Sequence, residues 1–178
     1  MFIKSEMNKT ETYEFLKKEN IDFEVAEHRA VYNMAELAEV EMPYPECDAK
    51  NLFVRDDKRR DYYLITVKGD KRVDLKAFRR DMGTRPLTFA SAEELFIILG
   101  LTPGAVTPLG LLCDDSRRVT FYIDSEFCDA PGIIGVHPND NTATVWLKTA
   151  DLLRIIGEHG NTVHIVGIHD SRKIAGDE

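Results

Sequence analysis

Cysteine is scarce: the 178 residues hold three, Cys47, Cys113 and Cys128, an odd number with no C-x-x-C spacing. That excludes a disulfide framework and argues against a structural zinc site. The five histidines form neither HExxH nor HxH, so no metal and no cofactor is expected. Ser-His-Asp or Cys-His nucleophile arrangements cannot be placed either. No apolar run approaches the eighteen or so residues of a membrane span, and no membrane partner is expected. The opening MFIKSEMNKTE lacks the apolar stretch of a signal peptide, which makes the cytosol the expected compartment. Repeats, low-complexity tracts and long linkers are absent, so a single domain over 1–178 is expected.

What is present is a globular composition: hydrophobic residues make up 43% and the formal charge is −8. The charge is unevenly spread. Between Lys50 and Arg85, twelve basic residues face six acidic ones, a net of +6, which leaves −14 for the remainder. A solvated basic face has this distribution. So does a protein that grips a short length of phosphate backbone and repels the rest.

The pattern predicts a first helix after Asn8 with Glu11 completing a capping box, then an alternating strand Ile21 to Glu27. A short helix is expected from Asn33 (Met34, Leu37, Ala38). Asn51 to Arg55 and Tyr62 to Val67 read as strands joined by the charged turn Asp56 to Asp61, followed by an amphipathic helix that Gly83 ends. Leu87 to Ala90 is a strand, and Ser91 with Glu94 boxes a helix that runs from Ala92 to Leu99. Strands follow at 117–124, 133–136, 142–147 and 163–168, with a helix capped by Thr149 before the last. The order lacks regular βαβ spacing and predicts a mixed sheet or barrel with helices outside, an α+β fold.

Three segments carry more glycine, proline and uncompensated polarity than a plain scaffold needs. AKNLFVRDDKRRDYYLITV (49–67) sets Lys50 and Asn51 at a strand entrance. GLTPGAVTPLGLL (100–112) is a little-charged loop whose glycines let backbone approach a ligand. GVHPNDNTATVWL (135–147) flanks a hairpin turn with His137 and Asn141, and a turn has no need of the histidine.

In combination and in this order, KNLFVRD, PGAVTPLGLL and HPNDNTATV resemble the YbaK/prolyl-tRNA-synthetase-associated editing domains, in particular their free-standing, PrdX-like branch. The resemblance spans about Thr10 to Ile168. It implies a mixed, barrel-like β-sheet surrounded by helices. The activity implied is hydrolysis of the ester joining a wrong amino acid to tRNA, most typically alanine on proline tRNA. Aminoacylated tRNA is then the partner, with prolyl-tRNA synthetase a candidate second one. Deacylation of cysteinyl or seryl esters, and a non-catalytic tRNA- or nucleotide-binding module of the same fold, are the alternatives.

The resemblance also implies roles. Lys50 matches the family's signature lysine and would be a cationic clamp for the terminal phosphate or the ester oxygens. Gly104 opens the GxxxP loop and would present backbone to water and to the substrate amine. His137 would hold the attacking water or a sugar hydroxyl. Asn51, Thr107, Asn141 and Thr142 would line the site, while Val31, Tyr32 and Met34 match the wall of the amino-acid pocket, where exclusion is by size. Lys71, Arg72, Lys76, Arg79 and Arg80 form a candidate surface for the acceptor stem. All of this presumes that an ammonium, a glycine backbone and an imidazole converge on one cavity.

Overall fold

Helix α1 (Lys9–Lys18) starts where the Asn8–Glu11 pair predicts. The Asn8 side chain accepts from the Glu11 amide at 2.8 Å, and the Glu11 carboxylate accepts from the Asn8 amide at 3.1 Å. Two amide donors that the helix itself leaves unpaired are thereby satisfied. The computed structural model describes residues 6–30, 33, 35 and 42–173. The helix expected from Asn33 falls largely outside the described residues, and Val31, Tyr32 and Met34 lie outside them altogether.

The remaining elements are β1 (Phe23–Glu27), β2 (Ala49–Asp56), β3 (Tyr62–Lys68), α2 (Leu75–Met82), β4 (Leu87–Phe89), α3 (Ala92–Leu99), β5 (Val119–Asp124), β6 (Ile133–Val136), β7 (Ala143–Lys148), α4 (Thr149–His159) and β8 (Val163–Val166). Ser91 and Glu94 box the start of α3, and Gly83 ends α2 at φ 69°. One cap differs from expectation. Thr149 is the first residue of α4 and not its cap, because its hydroxyl donates to the Phe127 carbonyl at 2.7 Å.

The strands form two sheets. One has the order β4-β2-β3-β5-β8, with β3–β5 and β5–β8 parallel; the other is the antiparallel β1-β7-β6. Among the described residues their backbones pair through one bridge, Asp48 with Gly135. The architecture is mixed α+β as expected, but no closed barrel forms among the described residues. Pairing across the junction is confined to that bridge, so the ladder cannot continue from one sheet into the other.

Alternation along the five-stranded sheet sorts its residues between two cores. Phe53, Leu64, Phe121 and Ile123 meet Ile134 and Val145 of the small sheet and Leu152, Ile155 and Ile156 of α4. On the opposite face Val54, Ile65, Val67 and Tyr122 are covered by Phe78 of α2. Each such fully buried side chain contributes about 1.5–3 kcal/mol. The 100–112 segment is less of an open loop than expected, since Pro108–Cys113 coils into a 3₁₀ turn whose six residues are all buried, packed on α3 and α4. Packing there is close: a Cβ on Gly110 would stand 2.5 Å from Leu101 Cδ1, and that side chain would have to shift. No helix of the described residues is long and apolar enough to cross a membrane.

Candidate active site

The three segments singled out in the sequence meet at the junction of the two sheets, stitched by side-chain hydrogen bonds. Asn51, on β2, donates from Nδ2 to the Val106 carbonyl at 3.2 Å and accepts from the Thr66 hydroxyl at 2.6 Å. Thr107, next along the same loop, donates its hydroxyl to the His137 carbonyl at 2.7 Å. Gly104 reaches this stretch through a positive φ of 89°, a conformation that penalises any side chain. A small cavity lies between, lined by Asp48, Ala49, Asn51, Gly135, Val136, His137 and Thr144.

His137 is held in one tautomer. Its Nδ1 lies 2.8 Å from the Ala143 carbonyl and must donate, leaving the lone pair on Nε2. Burial lowers its pKa, the Ala143 bond opposes this, and His28 pushes it lower again. The ring is therefore neutral near pH 7. His28 stands beside it, with ring centroids 6.2 Å apart at 61°. The His28 Nδ1 donates to the Arg29 carbonyl at 2.7 Å, so its Nε2 accepts from the Thr144 hydroxyl at 3.0 Å. Asp48 is 7% exposed and burial drives its carboxyl up to about 6, with the nearby Trp146 N–H pulling it down and Glu46 adding to the rise. Asp48, His28 and Thr144 were not foreseen. Nothing in their local pattern marks them, because Asp48 enters the site through the bridge between the sheets, and His28 and Thr144 meet through strand pairing within the smaller one.

Other expected site residues are placed differently. Lys50, the second residue of β2, faces the second core, where its ammonium donates to the Lys71 carbonyl. The ammonium and the imidazole therefore do not converge, because residues 50 and 51 of a strand point to opposite faces. Burial, with Arg172 nearby, lowers the Lys50 pKa. Thr142 belongs to a network outside the cavity, donating to Asp140 and accepting from Lys9 Nζ at 2.9 Å. Asn141 sits half-buried in the same hairpin turn and also lies off the cavity wall.

Lys71 requires a correction. It is 6% exposed, and its ammonium binds Asp124, Glu126 at 2.9 Å and the Ile168 carbonyl at 2.8 Å. An interior cation already paired with two carboxylates offers nothing to a phosphate. Burial would lower its pKa, and the two carboxylates more than reverse that. Arg72, Lys76, Arg79 and Arg80 are exposed.

These elements define a class. The aminoacyl-tRNA editing domain model matches residues 28–155, and the chain belongs to that family and is a hydrolase of the aminoacyl-tRNA ester. Among curated proteins it is 38% identical over 142 residues to the prolyl-tRNA editing protein ProX of Acetoanaerobium sticklandii, covering 80% of this chain and 86% of that one. It is 35% identical over 153 residues to the prolyl-tRNA synthetase associated domain-containing protein 1 of Danio rerio, covering 85% and 83%. A solved structure of a candidate trans-editing enzyme for prolyl-tRNA synthetase superposes with TM-score 0.68 over 94% of this chain and all of the other, at 20% identity, a likeness of fold.

Proposed function

We propose that this chain edits in trans, hydrolysing the ester of alanine mischarged onto proline tRNA. An aminoacyl ester is already activated, so the site has to position water, exclude the correct amino acid and stabilise the developing oxyanion. The observation that carries the reading is His137, fixed through Nδ1 with its lone pair left on Nε2, which lines a small cavity where the three segments meet. In this role Nε2 accepts a proton from water or from the 2′-hydroxyl that RNA supplies. The Gly104 loop, tied down by Asn51 and Thr107, presents backbone to the ester. The ProX relative's name and the family match support the choice of reaction and of tRNA.

Lys50 and the exposed Arg72, Lys76, Arg79 and Arg80 serve the phosphates of the acceptor end, since Lys50 faces away from the cavity. The test is a panel of tRNAs charged with alanine, cysteine, serine or proline, incubated with the purified protein. Rapid release of alanine from proline tRNA, with prolyl-tRNA spared, is expected. Release of proline, or of nothing, overturns the reading.

A further inference from the structure

Two buried polar atoms beside the cavity complete no hydrogen bond: Oδ1 of Asp48 and the indole Nε1 of Trp146. Asp48 is 7% exposed and Trp146 2%. Both crowd the same residue from the same side. A Cβ built on Gly135 would stand 2.6 Å from Trp146 Nε1 and 2.9 Å from Asp48 Oδ1. Glycine at 135 thus leaves room for the carboxylate at the cavity wall, which Asn51, His137 and Thr144 also line. No lysine or arginine hydrogen-bonds to Asp48 among the described residues, whereas the buried ammonium of Lys71 is paired with carboxylates. A desolvated carboxylate with only a neutral N–H beside it and no cation is destabilising, and a ligand that brings the missing charge would explain it.

We propose that Asp48 receives the α-ammonium of the aminoacyl group. The inference rests on the editing reading above and names the contact that would hold the substrate's amino-acid end. The ammonium is the one positive charge on that end, common to every aminoacyl ester and one carbon removed from the carbonyl under attack. A charge-assisted N–H···O⁻ bond to Asp48 fixes it, and the carbonyl is then presented within the same cavity to His137. The Trp146 N–H, close to Oδ1, favours the ionised carboxylate that the contact needs. The pocket would then recognise what all amino acids share, and size alone would choose among them.

The experiment compares two esters on the same proline tRNA: alanyl, and the lactyl ester made by deaminating it, which replaces the ammonium with a neutral hydroxyl of similar size. Each enzymatic rate is divided by the spontaneous hydrolysis rate of that ester. The wild-type protein is expected to accelerate the alanyl ester roughly 10–100-fold more than the lactyl one. In Asp48→Asn that preference should collapse to within a few-fold, through loss on the alanyl ester alone. Equal acceleration of both esters by the wild-type protein overturns the inference while editing stands, and this comparison holds even if the variant fails to fold. A folded Asp48→Asn that keeps the wild-type preference overturns it equally. If the wild-type protein hydrolyses neither ester, the functional reading falls and takes the inference with it.

Discussion

Lys50 and Asn51 are consecutive in β2, yet Lys50 donates to the Lys71 carbonyl on one face of the sheet while Asn51 donates to the Val106 carbonyl, 3.2 Å away, on the other. On the proposed function, the strand would divide labour between the phosphate side and the ester side of a substrate at its entrance. Lys50→Ala should raise KM for the tRNA several-fold with little change in kcat, and should reduce the salt slope of binding by about 1. Steady-state kinetics at two or three salt concentrations checks this. A large fall in kcat at unchanged KM would instead put the ammonium on the ester.

His137→Ala should lower kcat by roughly 10²–10⁴, the usual worth of one positioned proton acceptor. The wild-type pH profile should stay level through neutrality, declining only below the ordinary imidazole value of 6.5, because burial lowers the folded pKa. The sign for stability is the same. The unfolded chain binds the proton more readily, so this contribution is present above 6.5 and lost as pH falls through the lowered folded value. A profile bending above 6.5 would exclude His137 as the group observed.

Asp48→Asn should stabilise the fold at neutral pH while damaging its chemistry. With the carboxyl raised from 3.8 to about 6, the folded state holds its proton where the unfolded chain has released it. Stability therefore falls as pH rises through this window, by on the order of 2–3 kcal/mol above it. Melting curves from about pH 4 to pH 8 should show a gap between variant and wild type that opens with rising pH. A gap independent of pH would contradict the assignment.

Lys71→Met should destabilise the protein by about 3–5 kcal/mol, since it leaves the Asp124 carboxylate, with a side chain 1% exposed, uncompensated in the interior. Adding Asp124→Leu should recover most of the loss. At temperatures where the single variant is folded, tRNA affinity should be unchanged, as measured by filter binding. A selective loss of affinity would return Lys71 to the RNA surface.

Arg79→Glu with Arg80→Glu should weaken tRNA binding and flatten its salt dependence by about 2, with stability moving less than about 0.5 kcal/mol. The Arg80–Asp81 pair at 3.3 Å is exposed and contributes little. Unchanged kinetics on full-length tRNA would retire α2 as an acceptor-stem surface.

The sequence by itself determined most of the elements and several of their ends. Caps such as Asn8 with Glu11 or Ser91 with Glu94 are contacts across three residues, and hydrophobic alternation reports directly on which face of a strand is buried. It also singled out the segments around residues 50, 104 and 137, because glycine, proline and a histidine there exceed what turns require. Only the tertiary structure decided which side chains share the cavity. Lys71 looks like a surface charge until Asp124, 53 residues on, arrives beside it. Asp48 acquires meaning only where Gly135 bridges the two sheets. Local patterns record local energies, whereas a buried charge is made tolerable or useful by partners that the folded chain alone brings near.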